Sequence, residues 1–314
     1  MATPKVSVIV PNYNYARYLD QRIQSILRQT YQDFEIIILD DASTDDSKAV
    51  IDKYRDNPHV SAICINQHNS GIPFAQWERG IDMSRGEFIW IAEADDFAEE
   101  TFLEKCMKAY ALFPNTVICQ AGALLVNEQG QPMDDTMDKW RQTSKPAISF
   151  NGKSYIRRFL RWSNRLYNAS GIVFRKSALK NVDFEEVKTY RVCGDWLFWS
   201  ILAEQGDVTI IKQKLNRFRR SSNSASARVP ADENYRIMRN FLDRGIFHHF
   251  TLTYAQAIAT NIRCARKNKT VTEQKRLFKE WDVSFPAIYY NYMMFVRPID
   301  NVKRGSLYYE HKRI

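Results

Sequence analysis

The first hundred residues alternate between two hydrophobic patterns, and this alternation constrains the fold more than any other feature. Short apolar runs rich in β-branched and aromatic residues predict four strands, at 5–10, 34–39, 60–65 and 86–92. Amphipathic segments with helical spacing separate these runs. Alternating strands and helices indicate right-handed crossovers and a mainly parallel sheet flanked by helices, so the predicted fold class is α/β.

Charge is distributed unevenly along the 314-residue chain. Residues 1–100 contain 9 Lys and Arg against 17 Asp and Glu, whereas residues 101–314 contain 36 against 19. The basic second half suits phosphate-bearing ligands, an anionic membrane surface or nucleic acid. No run of 18 apolar residues predicts a membrane span, and no apolar signal core precedes the first strand. Five widely spaced cysteines without a CxxC pair favour reduced thiols in the cytosol.

The predicted strand FIWI at 88–91 is followed by three acidic residues, Glu93, Asp95 and Asp96, which we call the acidic motif. Neighbouring carboxylates repel one another and resist burial, and a divalent cation relieves both problems. Hard oxygen ligands of this kind suit Mg²⁺ or Mn²⁺.

Polar residues also end the other three predicted strands, in the segments 11–14, 40–41 and 69–71. In an open α/β sheet, ligands bind beyond the carboxyl ends of the strands, near the point where the strand order reverses. Neither GxxxxGK[ST] nor GxGxxG occurs, so we do not expect a glycine-rich phosphate loop. Acidic residues beside a polyphosphate require a bridging cation, and this edge therefore predicts a metal–nucleotide site without a P-loop.

Three segments in this order resemble the family-two glycosyltransferases with the GT-A fold. They are VSVIVPNYNYARYLDQRIQSILRQTYQDFEIIILDDASTDDS, then NSG, then GEFIWIAEADDF. The resemblance is strong over residues 5–115 and continues more loosely to about 226, through NASGIVFRKSAL, CGDWLFW and NRFRRSSNSAS. It implies a Rossmann-like GT-A domain for nucleotide-sugar binding and catalysis at 1–226, and the remaining residues, 227–314, are expected to form a helical C-terminal extension.

The resemblance implies an inverting, metal-dependent enzyme that uses a nucleotide-diphosphate sugar, usually UDP-linked, with Mn²⁺ or Mg²⁺. By position, Pro11 and Tyr13 would flank the nucleobase, and Asp40 would accept a hydrogen bond from the uracil ring N–H with support from Asp41. Arg219 would reach the leaving diphosphate. The implied donor-binding set is Pro11, Tyr13, Asp40, Asp41, Gly71, Glu93, Asp95 and Arg219.

Asp195 in CGDWLFW matches the general base, which takes the proton of the acceptor hydroxyl as its oxygen attacks the anomeric carbon opposite the diphosphate. Asp95 and Asp96 match the metal-binding positions. The sequence departs from the family pattern at Glu93, where Asp is commoner, and at Gln76–Trp77, where an arginine often contacts the diphosphate. Arg79 is the nearest substitute for that arginine.

The sequence also allows purely structural roles for these residues. Asp40–Asp41 would cap the next helix, although Ser43 is a suitable N-cap already. The acidic motif would be an exposed turn, Asp195 an N-cap and Arg219 part of a solvated basic face. Trp77 is expected in the core rather than as a sugar platform.

The predicted reaction adds one sugar to a cell-surface polysaccharide or glycolipid, with a glycan or lipid-linked glycan as acceptor. We expect a cytoplasmic protein with peripheral contact to an anionic membrane, no nucleic-acid partner and an undetermined oligomeric state. A sugar nucleotidyltransferase is a second candidate, although the glycine-rich, lysine-bearing loop it needs is missing from PNYNYARYL. A non-enzymatic glycan- or polyanion-binding protein is the third.

Overall fold

The computed structural model describes residues 3–133, 146–160, 164–190 and 192–220, together with positions 237 and 240. Nine strands in these ranges form one mixed sheet. The strands are β1 (Val6–Asn12), β2 (Phe34–Asp40), β3 (Val60–Ile65), β4 (Phe88–Ile91), β5 (Phe97–Ala98), β6 (Thr116–Val126), β7 (Ala147–Phe150), β8 (Ile172–Arg175) and β9 (Asp207–Arg219).

Helices cover both faces of this sheet. They are α1 (Ala16–Leu27), α2 (Ser47–Asp52), α3 (Pro73–Met83), α4 (Phe102–Leu112), α5 (Gly152–Tyr155), α6 (Phe184–Lys188) and α7 (Gly194–Ala203). A π-helical turn at Ile156–Leu160 extends α5, and 3₁₀ turns lie at Ala169–Gly171 and Lys176–Asn181.

The sheet order is β3-β2-β1-β4-β8-β6-β9-β5, and β7 pairs with β9. Strands β1 to β4 are parallel, whereas β8 runs antiparallel to both β4 and β6. The chain therefore adds β2 and β3 on one side of β1 and then returns to place β4 on the other side. This reversal beside β1 brings the carboxyl ends of β1, β2 and β4 to one edge, where ligands bind in open α/β sheets.

Two hydrophobic cores lie on opposite faces of the sheet because successive strand side chains alternate in direction. Val8 and Val10 of β1 face a core with α1 and α4, whereas Ile9 faces a second core with α3 and α7. Strands β1, β2 and β4 are buried along their whole length. Burial on both faces explains why their sequences are nearly continuous apolar runs.

The structure confirms the α/β class and the mainly parallel first half, and β5, β7 and β8 pair antiparallel with their neighbours. The segment 116–130 forms one long strand, β6, followed by a turn. Among the described helices, none is long and apolar enough to cross a membrane. The helical extension predicted at 227–314 lies, apart from positions 237 and 240, outside the described residues.

Candidate active site

Asp40 ends β2 beside Asn12, its partner in the parallel register with β1. Asn12 Nδ2 and Ser43 Oγ both donate to Asp40 Oδ2 at 2.7 Å, and the Ser43 N–H donates to Oδ1 at 2.9 Å. Asp40 is 2% exposed. Because each carboxylate oxygen can accept two hydrogen bonds, Oδ1 retains acceptor capacity for a ligand N–H.

Asp41 connects β2 to the segment 66–76, which leads from the end of β3 into α3. Asn66 Nδ2 and Gln76 Nε2 donate to Asp41 Oδ1 at 2.6 and 2.8 Å. The Ser70 N–H and Oγ donate to Oδ2 at 3.1 and 2.7 Å. Four donors on one buried carboxylate fix this loop next to Asp40, and the support that Asp41 is predicted to give to nucleobase binding stays a prediction.

The helix-capping interpretation of the two aspartates is wrong. Helix α2 begins at Ser47, and its N-cap is Asp46 rather than Asp40–Asp41 or Ser43. The Ser43 side chain donates to Asp40 instead. Ala42, which lies between Asp41 and Ser43, adopts a left-handed backbone with a φ of 62°. Non-glycine residues rarely adopt this conformation, and such strain often lies at functional sites.

Three further residues are predicted to bind the nucleotide. Pro11 and Tyr13 lie at the end of β1, and Gly71 lies in the loop before α3. Pro11 is buried in β1, and Tyr13 directly follows the strand with 45% of its surface exposed. Gly71 has a φ of +67°, and its N–H donates to Asn69 Oδ1 at 2.6 Å. The exposed Tyr13 ring is available for stacking, and the contacts predicted for these three residues stay predictions.

The acidic motif lies beyond the end of β4 and is not an exposed turn. Asp96 is 2% exposed, and Glu93 and Asp95 are partly buried. Burial raises the pKa of all three carboxyls, to about 7 for Glu93. Repulsion from Asp96 contributes to the raised pKa of both Glu93 and Asp95. Desolvated carboxyls that repel one another favour a cation in their vicinity.

The three members of the acidic motif differ in how far their carboxylates are already hydrogen-bonded. Asp96 accepts the Arg219 backbone N–H at 2.8 Å on Oδ1 and Asn168 Nδ2 at 2.9 Å on Oδ2. Apart from its own backbone N–H, no donor from the described part of the chain reaches the Asp95 carboxylate. Asp95 is therefore better placed than Asp96 to bind a cation, and the assignment of Asp96 as a ligand stays a prediction.

Arg219 is 4% exposed, so it does not belong to a solvated face. Its Nε donates to the Asp95 carbonyl at 2.7 Å, and Nη1 donates to the Asn127 and Glu128 carbonyls at 3.1 and 2.6 Å. Nη2 donates to Gln21 Oε1 at 2.8 Å. These bonds join the acidic motif to a turn and to α1. The predicted contact between Arg219 and a diphosphate stays a prediction.

Two further ionisable side chains near the acidic motif were missed by the sequence analysis. Arg22 is completely buried over the Trp90 ring at 4.9 Å, and none of its guanidinium nitrogens has a hydrogen-bond partner within the described ranges. Burial lowers its pKa to about 10, against the raising effect of the three carboxylates. Burial and the same carboxylates raise the pKa of Tyr15. The sequence does indicate the burial of Arg22, because Arg22 lies at helical spacing from Leu19 and Ile26 on the apolar face of α1.

Asp195 is the second residue of α7, and Cys193 occupies the N-cap position, so the capping interpretation of Asp195 is wrong. Asn164 Nδ2 donates to Asp195 Oδ2 at 2.8 Å. Asp195 also contributes to the raised pKa of Glu93, which places the two carboxylates within electrostatic reach. Trp77 donates to Glu93 and packs against Phe198 and Trp199, so the fold brings α7, the helix of Asp195, to the acidic motif across about a hundred residues of sequence.

The donor set at the acidic motif fits a divalent cation that is shared with a substrate. Within the described ranges, no three His, Cys, Asp or Glu side chains form a complete metal site. Mg²⁺ commonly takes only one or two carboxylates and completes its shell with water and substrate phosphates. Asp95 and the second oxygen of Glu93 supply such hard donors where carboxyl charge is poorly compensated.

Comparison with known proteins finds glycosyltransferases that are similar in sequence to this chain. A β-1,3-glucosyltransferase of Campylobacter jejuni, named for GalNAc(5)-diNAcBac-PP-undecaprenol, is 31% identical over 188 residues, which are 58% of this chain and 55% of the relative. An uncharacterized glycosyltransferase of Nostoc sp. is 30% identical over 217 residues, 68% of this chain and 64% of that protein. The chain thus spans a little over half to about two thirds of the length of these relatives.

Solved structures share the fold at low sequence identity. Staphylococcus aureus TarS 1–349 in complex with UDP-GlcNAc has a TM-score of 0.69 at 18% identity, covering 97% of this chain and 89% of TarS. The mannosyltransferase PcManGT of Pyrobaculum calidifontis, with GDP-Man and Mn²⁺, has a TM-score of 0.53 at 14% identity, covering 99% and 89%. These matches confirm the expected GT-A fold. The model of Glycosyl transferase family 2 matches residues 7–183, more than half of the chain, and the chain therefore belongs to this family.

Proposed function

We propose that this protein is an inverting glycosyltransferase that moves a sugar from a UDP-linked donor to an acceptor hydroxyl of a cell-surface polysaccharide or glycolipid. One observation carries the proposal: Asp40 and the acidic motif follow the carboxyl ends of β2 and β4, which flank β1, and α7 with Asp195 in its first turn packs on Trp77, the indole donor to Glu93. The TarS complex with UDP-GlcNAc supports the donor class, and the Campylobacter relative, named for a PP-undecaprenol glycan, supports the acceptor class.

In this proposal, the first half of the chain binds the nucleotide. Asp40 Oδ1 accepts the uracil ring N–H, the exposed Tyr13 ring stacks on the base, and Asp41 fixes the loop at Gly71 beside them. Asp95 binds the cation. When bound there, Mn²⁺ or Mg²⁺ neutralises negative charge on the diphosphate.

Asp195 is proposed as the general base. Its carboxylate takes the proton of the acceptor hydroxyl while that oxygen forms a bond to the anomeric carbon. The bond from this carbon to the diphosphate oxygen breaks on the opposite face, and the diphosphate leaves with the electron pair, so the configuration inverts. Asn164 orients the carboxylate, and the position in the first turn of α7 favours its charged form.

The substitution Asp195→Asn tests the catalytic role because it keeps size and hydrogen bonding while removing the basic oxygen. We expect sugar transfer to fall by about 10²- to 10⁴-fold and UDP affinity with Mn²⁺ to stay within about twofold. Asp183→Asn is the matched control, since the hydrogen bonds that Asp183 accepts from the described residues all lie at the start of α6. Asparagine caps helices about as well as aspartate, so this variant should keep both thermal stability and transfer near those of the wild type. Equal effects of the two substitutions on transfer would show that Asp195 is structural.

Ligand-dependent thermal stability separates this function from the two rival classes. UDP should raise Tm in the presence of Mn²⁺ and much less in its absence, and GDP and CDP should act more weakly. A nucleotidyltransferase should respond best to nucleoside triphosphate, and a polyanion-binding protein should respond equally to heparin without metal. A lipid-linked acceptor would place the chain at the inner face of the membrane, where the 36 Lys and Arg of residues 101–314 favour anionic lipid.

A further inference from the structure

The indole N–H of Trp77 contacts the acidic motif directly. Trp77 lies on α3 and is 3% exposed. Its Nε1 donates to Glu93 Oε1 at 2.9 Å, which leaves the second oxygen of that carboxylate without a donor from the described side chains. The contact joins α3 to the residue that begins the acidic motif, sixteen positions further along the chain.

The ring of Trp77 is fixed by other aromatic side chains on both sides. Phe74 of the same helix packs edge-on at 5.2 Å between ring centroids. Phe198 and Trp199 pack against it at 5.6 and 5.8 Å, and both belong to α7. Since α7 also carries Asp195 in its first turn, Trp77 contacts both the acidic motif and the helix of the proposed base.

Trp77 differs from the other tryptophans that the structure describes. The Trp90 and Trp196 indoles donate to backbone carbonyls, and the Trp199 N–H is buried without a partner. Only the Trp77 indole, among these four, donates to a carboxylate. Hydrogen bonds to charged groups are stronger than those between neutral groups, so this N–H constrains Glu93 more than packing alone would.

We propose that Trp77 is a positioning residue for the donor, because it fixes one oxygen of Glu93 and leaves the other available to the cation–nucleotide complex. The proposal rests on the function proposed above and adds a task for a side chain that the sequence assigns to the core. The ring packing on α7 further couples the place of Glu93 to that of Asp195. A phenylalanine would preserve the packing and lose the N–H.

A double-mutant cycle on UDP binding tests this role without relying on turnover. Titration calorimetry with UDP in excess MnCl₂ would measure the wild type, Trp77→Phe, Glu93→Ala and the double variant. We expect Trp77→Phe to weaken UDP binding by about tenfold, the worth of one charge-assisted hydrogen bond. In the Glu93→Ala background the same substitution should change affinity by less than about twofold.

Trp199→Phe is the matched control, because it makes the same ring exchange in the same cluster and removes an N–H without a partner. It should leave UDP affinity within about twofold in both backgrounds. The positioning role is overturned if Trp77→Phe matches Trp199→Phe, or if it costs the same tenfold without the Glu93 carboxylate. A wild type that does not bind UDP with Mn²⁺ overturns the proposed donor, and the positioning role with it.

Glu93→Asp provides a second test should Trp77→Phe fail to fold. The shorter side chain keeps the charge and withdraws the carboxylate from the indole, so the 2.9 Å hydrogen bond is lost. UDP binding should again weaken by about tenfold, with thermal stability near that of the wild type. Wild-type affinity in Glu93→Asp would show that the contact with Trp77 does not position the donor.

Discussion

Glu93→Gln removes a charge that the folded chain stabilises poorly. Burial raises the pKa of Glu93 from its usual value of 4.5 to about 7. Since a difference of one pKa unit corresponds to about 1.36 kcal/mol, ionising Glu93 in the folded chain costs roughly 3 kcal/mol relative to the unfolded chain. The amide oxygen of glutamine still accepts the Trp77 N–H, so the substitution removes the charge and keeps the packing.

The sign of the pH dependence follows from a folded-state pKa above the unfolded one. Below pH 4.5 the carboxyl is protonated in both states, and Glu93→Gln and the wild type should be equally stable. Between pH 4.5 and about 7 the folded chain keeps a proton that the unfolded chain has lost, so the wild type loses stability as pH rises. Above about pH 7 the loss is complete, and Glu93→Gln should be the more stable protein by up to roughly 3 kcal/mol.

Urea denaturation followed by tryptophan fluorescence, with EDTA and without nucleotide, would measure this difference at several pH values. Glu35→Gln is an informative control of opposite sign. Burial acts to raise the pKa of Glu35, but hydrogen bonds from Ser7 and Arg85 outweigh it and hold the pKa below its usual value. Glu35→Gln should therefore be less stable than the wild type at pH 7, and its deficit should shrink as pH falls below 4.5.

A stability difference between Glu93→Gln and the wild type that stays constant from pH 5 to pH 8 would refute the reasoning. The same conclusion would follow if Glu93→Gln were less stable than the wild type at pH 8, because the charge would then be well compensated in the folded chain.

Three other substitutions test how the site is built. Arg22→Met should stabilise the chain more at pH 5 than at pH 8, because protonation of the acidic motif leaves the buried guanidinium without counter-charges; equal changes in Tm at both pH values would contradict this. Arg219→Lys should lower the free energy of unfolding by about 2–4 kcal/mol in urea titrations, because a lysine ammonium cannot replace the planar array of N–H donors of the guanidinium. A loss under about 0.5 kcal/mol would contradict this prediction. Ala42→Gly should raise that free energy by up to about 1 kcal/mol by relieving its left-handed backbone, and a loss of stability would show that no strain was present.

The sequence predicts the first half of the fold well because local pattern and burial agree there. Strands β1, β2 and β4 are buried on both faces, so their composition alone distinguishes them from the amphipathic helices between them. Parallel strands place their carboxyl ends at one edge, and the position of Asp40 and the acidic motif at the same edge follows from that rule. Asp195 required the family resemblance, since no local pattern relates α7 to β4.

The parts that the sequence does not predict depend on tertiary hydrogen bonds. Ser43 is a suitable N-cap by composition, but its hydroxyl donates to Asp40, and the helix begins four residues later at Ser47. Strand β5 has only two residues and exists through its pairing with β9. Among the arginines of NRFRR, the pattern gives no reason for Arg219 to be the buried one, because its partners are backbone carbonyls distant in sequence.

The acidic motif and Arg22 together explain why this edge of the sheet is suited to a ligand. Three carboxyls have raised pKa values, while a completely buried guanidinium beside them has no hydrogen-bond partner in the described chain. Neither charge is well compensated by the protein, and poorly compensated charge is a cost that functional sites commonly carry. A cation bound with a nucleotide diphosphate would compensate the carboxylates and lower the pKa of Glu93. Donor binding would therefore raise the free energy of unfolding in two ways. The donor contributes its own contacts with the protein, and its cation removes the cost of ionising Glu93 in the folded chain.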